Sequence, residues 1–307
     1  MKKDKGSMGS YRRNQLIFVW SLIIIPILGW CVFFVYVNLS SFVQAFQDLD
    51  GNFTMEHFKT AWASFGGGDG LNSLSIALKN TLSYWFQHML LIFPLQIIMA
   101  YFLYKQIPGY KVFRILFYLP NIVSSVAIVG VFKEFISSTG PLGVICDALG
   151  IALPDKGLLN NVATAHKTIL FYCFIFGINT HLLICGAMAK IPLEVLESAR
   201  LDGVQAGKEL VYIVLPLIWP TICTITILSC TSIISSGGPI LLMVPDAWSY
   251  GCTTISYWIW EKVYAGGSFM RGKYSLVSAT GLTLTVFVVP VVLLLRKLLE
   301  KIPTVEY

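Results

Sequence analysis

Long apolar runs alternate with polar segments along this 307-residue chain. A helix needs about 20 apolar residues to cross a hydrocarbon layer roughly 30 Å thick. Six runs reach that length, near residues 16–38, 74–104, 112–136, 166–189, 216–236 and 275–298. The third run is the least regular, because Pro120 interrupts it and Lys133 and Glu134 lie near its end. The pattern predicts an all-α integral membrane protein with six transmembrane helices.

The composition agrees with a membrane protein. Hydrophobic residues make up 56% of the chain and charged residues 12%, whereas about a quarter of the residues in a soluble domain are charged. No sharp change in composition separates two domains, so one transmembrane domain is expected. Between the first two runs, the segment 39–73 carries Phe53, Phe58, Trp62 and Phe65 among polar residues, which predicts a short amphipathic surface helix.

The basic residues concentrate on one side of the predicted spans. Cytoplasmic loops near span ends carry the excess of Lys and Arg in membrane proteins. Here the excess falls on Lys2, Lys3, Lys5, Arg12, Arg13, Lys105, Lys111, Arg114, Lys190, Arg200, Lys208, Arg296, Lys297 and Lys301. Both termini of this multi-pass chain are therefore predicted to be cytoplasmic. The net charge of +6 reflects this orientation, and no nucleic-acid partner is expected.

A charged segment, residues 190–216, separates the fourth and fifth runs, and we refer to it as the charged loop. Pro192 suits a first helical turn, and Glu194 and Glu197 place negative charge near the positive end of a helix. Gly203 is the residue type that closes a helix in the left-handed conformation, and a second helical run follows it. We interpret this helix–turn–helix as a docking element outside the bilayer.

The charged loop resembles the conserved cytoplasmic loop of bacterial ABC importer permeases. Glu197-Ser198-Ala199, Gly203 and Ile213-x-Leu215-Pro216 have the spacing of that loop's E-A-A, G and I-x-L-P pattern, with Ser198 in place of the second alanine. The run from Ala199 to Gly203 is similar to the carbohydrate-uptake branch, which includes the maltose and glycerol-phosphate permeases. The resemblance covers roughly residues 75–298 and implies ATPase coupling by Glu197, Ser198, Ala199, Arg200, Asp202, Gly203, Ile213, Leu215 and Pro216.

This resemblance implies a permease subunit of an ATP-driven, binding-protein-dependent importer that moves a sugar or oligosaccharide across the bacterial plasma membrane. The expected partners are a second, homologous permease forming a heterodimer, a cytoplasmic ABC ATPase dimer, an extracytoplasmic solute-binding protein and the lipid bilayer. The expected segments are a cytoplasmic tail 1–15, a first transmembrane helix with an external segment 16–73, a permease domain 74–298 and a cytoplasmic tail 299–307. Because the loop is expected to continue through Leu215-Pro216 into the fifth span, its displacement is expected to tilt that span.

The sequence offers no enzyme site. Gly66-Gly67-Gly68-Asp69-Gly70 lacks the lysine and the hydroxyl of a phosphate-binding loop, so this chain is not expected to hydrolyse ATP. Its seven cysteines and four histidines lack metal-ligand spacing, and no metal site is predicted. No cofactor is expected on this chain, and ATP and Mg²⁺ are expected in the partner ATPase.

Polar side chains inside the spans are candidates for the solute path. Such side chains usually face the bundle interior or a water-filled cavity. The candidates are Asn80 and Gln87 in the second run, Asn121 and Ser124 in the third, and Asn179 in the fourth. Hydrogen bonding between helices is an alternative role for them and stays open. Aromatic residues of 257–264 could stack on a sugar or form an interfacial belt.

Other functions remain open at this point. An ABC permease for a small solute other than a carbohydrate fits the same pattern, because fold does not fix substrate. An ion-coupled secondary transporter would need charged residues in mid-span, and these are nearly absent. A membrane scaffold without transport activity would leave the polar faces of the spans unexplained.

Overall fold

The computed structural model describes residues 5–48, 50–65, 74–151, 153–154, 157–178, 181–235, 238–244, 246–264 and 271–302. The described chain is helical, with one isolated antiparallel bridge between Gln47 and Phe53. Its contacts divide it into two compact units. The first unit comprises Met1–Ala61 and Gly266–Thr283, and the second comprises Trp62–Ala265 and Leu284–Tyr307.

The α-helices are α1 Lys5–Trp30, α2 Val37–Ala45, α3 Glu56–Phe65, α4 Leu74–Gln87, α5 Phe93–Tyr104, α6 Tyr110–Ile122, α7 Ser125–Phe135, α8 Pro141–Ala148, α9 Ala165–Phe176, α10 His181–Met188, α11 Leu193–Leu201, α12 Ala206–Glu209, α13 Leu215–Leu217, α14 Trp219–Thr231, α15 Ile240–Met243, α16 Ile255–Tyr264 and α17 Arg271–Leu299. The π-helical segments Cys31–Tyr36, His88–Ile92 and Leu210–Val214 join α1 to α2, α4 to α5 and α12 to α13, and Ile233–Ser235 forms a 3₁₀ turn.

Three helices in the described residues are long and apolar enough to cross a membrane. They are Arg13–Ala45, Leu74–Tyr104 and Tyr274–Leu299, which match the first, second and sixth predicted runs. Two further pairs of helices pass the same test only when each bent pair counts as one span. The described residues therefore hold three to five spans by length and composition, and the all-α membrane class is confirmed while the count of six is not. The predicted amphipathic helix of segment 39–73 is present as α3.

The third predicted run is not one straight helix. Helices α6 and α7 meet at an angle of 105°. The break does not lie at Pro120, which remains inside α6, but at Val123 and Ser124, whose backbones are extended with ψ of 141° and 134°. Two extended residues redirect the chain, so residues 112–136 form an elbow rather than the straight span that hydropathy suggested.

The fifth predicted run starts later than expected. The helical charged loop continues through Pro216 to Leu217, and α14 begins at Trp219 after a bend of 74°. Ile218 leaves the helical conformation, and Pro220 in the first turn of α14 has no N–H to continue the hydrogen-bond ladder. The chain therefore continues through Leu215-Pro216 into the fifth span, as expected, but with a bend of 74° between the two helices. That displacement of the loop tilts this span stays a prediction.

Two clusters of buried apolar side chains hold the second unit together. One gathers α7, α9 and the segment 240–257, and the other gathers α5, α10, α14 and the charged loop. Tyr257 and Trp258 are buried in the described structure, so neither is an open stacking platform in this state. A large part of segment 240–264 is thus packed into the core, although Tyr264 at the end of α16 is 71% exposed.

Span two, Leu74–Tyr104, fixes segment 240–264 through its polar side chains. The amide nitrogen of Asn80 donates to the carbonyl oxygens of Gly251 at 2.8 Å and Thr253 at 2.9 Å. The hydroxyl oxygen of Thr81 accepts the N–H of Ile255 at 3.0 Å. Because these groups are buried, their hydrogen bonds stabilise the packed position of the segment.

Asn80→Ala should loosen this segment. Leaving the buried carbonyl groups of Gly251 and Thr253 unpaired costs about 1–3 kcal/mol, so we expect maleimide labelling of the buried Cys252 to accelerate about tenfold. The measurement uses a chain in which Cys252 is the only cysteine. Asn160→Ala, at an exposed position, is the matched control and should leave the rate unchanged. Equal labelling of both variants and the parent would contradict the assignment.

Candidate functional site

The first helix of the charged loop, α11, has a buried face and an exposed face. Leu196 and Ala199 are buried, and Leu196 belongs to the apolar cluster that includes α5, α10 and α14. Glu197 and Ser198 are exposed, and Leu201 is 89% exposed at the end of the helix. The helix therefore has one face packed against the protein and one polar face open to solvent.

The turn after α11 has the geometry that its glycine predicts. Gly203 has φ of +71°, in the left-handed region that a side chain disfavours. The N–H of Val204 donates to the carbonyl oxygen of Ala199 at 3.1 Å, and that of Asp202 donates to Ser198 at 3.0 Å. The first bond spans six residues, as in a Schellman helix end. The predicted helix stop at Gly203 is confirmed.

The second helical part of the loop runs from Ala206 to Leu217 and packs on span two. Val214 is fully buried, and Ile213, Leu215 and Pro216 are half-buried. Of the predicted coupling residues, Ile213, Leu215 and Pro216 join the buried Ala199 on the packed side of the loop. Glu197, Ser198, Asp202 and Gly203 lie on the exposed side. The side chain of Arg200 lies outside the described residues. The first helix of the loop thus presents its charged face outward, whereas the second part exposes Val211 and Tyr212 and buries Glu209.

A buried ion pair joins the loop to span two, and the sequence analysis missed it. The Nζ atom of Lys105 lies 2.6 Å from Oε1 and 2.7 Å from Oε2 of Glu209, whose side chain is only 2% exposed. The hydroxyl of Tyr101 donates to the carbonyl oxygen of Ala206 at 3.0 Å. The residues of the pair are 104 positions apart, so no local pattern could identify them.

A cavity of about 410 Å³ lies within the second unit. Its lining combines aromatic, hydroxyl, imidazole and apolar groups, from Tyr84, His88, Ile92, Pro120, Ser125, Ile128, Tyr172, Cys173, Phe176, Gly177, Ser235, Gly238 and Pro239. None of these lining residues is Asp, Glu, Lys or Arg. A cavity of this composition suits a polar solute without a strong charge.

Interruptions of four helical paths meet at this cavity. His88 and Ile92 bound the π-helical segment of span two, and Ser125 follows the break between α6 and α7. Gly177 ends α9, and Gly238 has φ of +58° in the bend before α15. Helix interruptions of this kind are frequent at functional sites. The cavity therefore lies where the helices of the domain are least regular.

Four of the five predicted path residues lie in the described part of the chain, and none of them is in the cavity lining. Asn80 binds the backbone of segment 240–264, as described above. Gln87 donates to the carbonyl oxygen of Leu170 at 2.8 Å, and its Oε1 atom is buried without a hydrogen bond among the described residues. Neighbouring residues on the same helix, Tyr84 and His88, face the cavity instead.

The other predicted path residues lie near the helix break at 122–125. Asn121 and Ser124 are exposed, and they flank residues of the cavity lining. The amide nitrogen of Asn121 donates to the carbonyl oxygen of Ile178 at 3.2 Å. Asn179 lies outside the described residues. Solute contact by any of the five residues stays a prediction.

The described residues contain no group of three His, Cys, Asp or Glu side chains that could hold a metal ion. A hydrogen-bonded polar cluster is nevertheless present on one wall of the cavity. Ser83 and Tyr84 both bond the imidazole of His166, at 3.0 Å and 3.3 Å. Because these bonds leave the ring of His166 held on both nitrogens, the cluster fixes the orientation of Tyr84 beside the cavity.

Comparison with known proteins identifies relatives by sequence. No protein-family model matches the chain. The chain is 24% identical over 207 residues to AraP, an arabinooligosaccharides transport system permease protein of Bacillus subtilis, in a match that covers 66% of this chain and 64% of AraP. It is 22% identical to MsmF, a multiple sugar-binding transport system permease protein of Streptococcus mutans, over 92% of this chain and 95% of MsmF.

Solved structures share the fold. A bacterial ABC transporter involved in the import of the acidic polysaccharide alginate matches with a TM-score of 0.77 and 22% identity, over 96% of this chain and 98% of the matched chain. The alginate transporter in complex with an alginate pentasaccharide-bound periplasmic protein matches with a TM-score of 0.75 and 22% identity, over 94% of both chains. The fold is that of the membrane permease of an ABC importer. Its relatives by sequence are permease proteins of sugar transport systems, so the sequence and structure comparisons agree in what this chain is similar to.

The cavity assignment predicts different reactivity for two neighbouring positions of span two. His88 lines the cavity, whereas Leu90 is 67% exposed on the outside of the unit. In a chain without its native cysteines, His88→Cys should react with a water-soluble maleimide and Leu90→Cys should not, because a thiolate forms in water and not in hydrocarbon. Equal labelling of the two variants in membranes would contradict a water-accessible cavity at this depth.

Proposed function

We propose that this chain is the membrane-spanning permease subunit of an ATP-driven, binding-protein-dependent importer that moves a sugar or oligosaccharide across the bacterial plasma membrane. The observation that carries the proposal is the two-sided charged loop. Its apolar side is packed on the membrane helices, and its other side presents Glu197, Ser198, Asp202 and the exposed Leu201. A loop with this construction has a surface available to a partner and a firm connection to the membrane domain.

The partner of the loop is a cytoplasmic ABC ATPase dimer, which supplies the ATP and Mg²⁺ chemistry that this chain lacks. Acidic side chains near the start of α11 offer charge-assisted hydrogen bonds to basic residues of the ATPase. Leu201 offers apolar area that a pocket of the ATPase could bury. The basic residues of the chain support the cytoplasmic placement of this loop and of both termini.

The solute passes along a path that includes the 410 Å³ cavity. Tyr84 and Tyr172 offer aromatic surface, and Ser125 and Ser235 offer hydroxyl groups. These groups suit a polyhydroxylated solute, which needs hydrogen bonds and ring contacts but no counter-charge. Among the described residues that line the cavity, none is acidic or basic, which supports a carbohydrate and argues against ion-coupled transport.

A second, homologous permease completes the path. Helix α6 has no buried residue, and its end beside the cavity is open, with Ile122 82% exposed. Asn121 and Ser124 lie on this open side and would then face the shared path. An extracytoplasmic solute-binding protein delivers the solute, as the complex of the alginate transporter with its periplasmic protein suggests.

Purification of the chain from its native membranes tests the proposal. We expect it to carry with it a P-loop ATPase, a second permease and a sugar-binding protein, and we expect a panel of sugars to stimulate ATP hydrolysis by the reconstituted complex. Polyol phosphates and amino acids in the same assay distinguish a carbohydrate from another small solute. A chain recovered alone and active in ion-driven uptake would contradict the proposal.

Gly203→Val should weaken the ATPase contact. A β-branched residue in the left-handed conformation costs roughly 1–2 kcal/mol, although the space around a Cβ atom at this position is open. The strain should reshape the turn between the loop helices, and we expect the amount of ATPase that co-purifies with the permease to fall severalfold.

Gly150→Val is the matched control for this substitution. Gly150 has a similar φ of +70° and similarly open space, but it lies in a segment far along the chain from the charged loop. The control should therefore carry the same backbone strain while leaving co-purification of the ATPase intact. Equal losses in the two variants would show a general effect of strain and contradict a specific role for the turn at Gly203.

A further inference from the structure

We infer that the buried Lys105–Glu209 pair makes span two, rather than the fifth span alone, the element that carries displacement of the charged loop to the cavity. This inference rests on the proposed function and assigns a positioning role to two residues outside the E-A-A pattern. The Nζ atom of Lys105 contacts both carboxylate oxygens of Glu209, at 2.6 Å and 2.7 Å, in a site where Lys105 is 17% and Glu209 2% exposed.

The two charges occupy the ends of their elements. Lys105 caps span two, where the negative end of a helix favours a cation. Glu209 lies in α12, in the first helical turns after the loop bend. The Tyr101 hydroxyl adds a hydrogen bond to the carbonyl oxygen of Ala206, and the Lys105 ammonium lies 5.7 Å from the centre of the Tyr101 ring. The start of the second loop helix is thus bound to the last turn of span two.

The backbone that joins the loop helix to α14 is a less rigid connection than the Lys105–Glu209 ion pair. A bend of 74° separates the loop helix from α14, with Ile218 outside the helical conformation. Movement of the loop can be absorbed at such a bend as a change in its angle. At the ion pair, by contrast, separation of the partners would leave a charge in a buried site, which is strongly unfavourable.

Span two also reaches the cavity directly. It is one helical path of 31 residues, and Tyr84, His88 and Ile92 on it belong to the cavity lining. Ile92 lies about 20 Å along the helix from Lys105, at a rise of about 1.5 Å per residue. The π-helical segment His88–Ile92 is the place on this helix where a change in register would alter the cavity wall. A push on Lys105 is therefore transmitted along one helix to side chains that line the cavity.

The test uses the complete complex, with ATPase, second permease and binding protein, reconstituted in vesicles. The central variant is the apolar pair Lys105→Met with Glu209→Leu, since replacement of a buried ion pair by apolar residues often leaves stability unchanged. Three quantities are measured: the amount of ATPase bound, the rate of ATP hydrolysis, and the solute moved per ATP hydrolysed. We expect the first two to remain within about twofold of the parent and the third to fall about tenfold.

Further variants separate positioning from packing. Glu209→Gln keeps the size and polarity of the side chain and should also lower the solute moved per ATP. The swapped pair Lys105→Glu with Glu209→Lys should restore a large part of the solute moved per ATP hydrolysed, because the two charges can pair again. Glu300→Lys breaks the exposed pair of Arg296 and Glu300, which have a 2.7 Å contact, and should change none of the three quantities.

Two kinds of failure are distinguishable. If the apolar pair moves as much solute per ATP as the parent, or if the swapped pair recovers nothing while its ATPase remains bound, the inference is overturned and the importer function stands. If the unaltered chain binds no ATPase and moves no solute on addition of ATP, the proposed function fails and takes this inference with it.

Discussion

Hydrocarbon offers no hydrogen bond to a backbone group, so every interruption of a helix inside a membrane must be satisfied by another part of the protein. The structure depends on this constraint at the break after α9. The amide of Gln96 donates to the carbonyl oxygen of Gly177 at 3.1 Å, and that of Asn121 donates to Ile178 at 3.2 Å. Amide side chains of neighbouring helices thus bind carbonyl groups at the end of this helix. These contacts permit a domain with bent and broken helices next to a cavity.

The same constraint applies at helix ends. The indole of Trp85 donates to the carbonyl oxygen of Ser229 in the last turn of α14 at 3.0 Å, and the indole of Trp219 donates to Leu299 at the end of α17 at 3.3 Å. These polar groups in the spans therefore stabilise the fold by binding carbonyl groups at helix ends. For Asn80, whose amide is bound to backbone carbonyl groups, the alternative of hydrogen bonding between elements describes the observed structure.

The sequence predicts well what is decided locally. The stop at Gly203 follows from the conformational freedom of glycine, and the amphipathic helix α3 follows from the periodicity of its aromatic residues. Hydropathy alone does not report the direction of a helix, so the elbow at Val123 and the bend at Ile218 could not be predicted from it. The Lys105–Glu209 pair and the cavity could not be predicted from the sequence for another reason, since both depend on residues that are distant in the chain. Local rules located the charged loop and its turn, and tertiary contacts determined the use of each polar side chain.

Span two carries two kinds of polar side chain: those that bind backbone groups of the fold and those that line the cavity. Asn80 and Gln87 bind backbone carbonyl groups. Tyr84 is oriented by His166, while the imidazole of His88 makes no hydrogen bond within the described part of the chain. A polar group that lines a cavity without a protein partner needs water or a solute to bind it. His88 is the first residue of the π-helical segment, which is the least regular part of span two. A hydrogen-bonding solute would therefore exchange with water at this part of the helix. The geometry of solute contact is thus coupled to the local conformation of the helix that the charged loop holds at its other end.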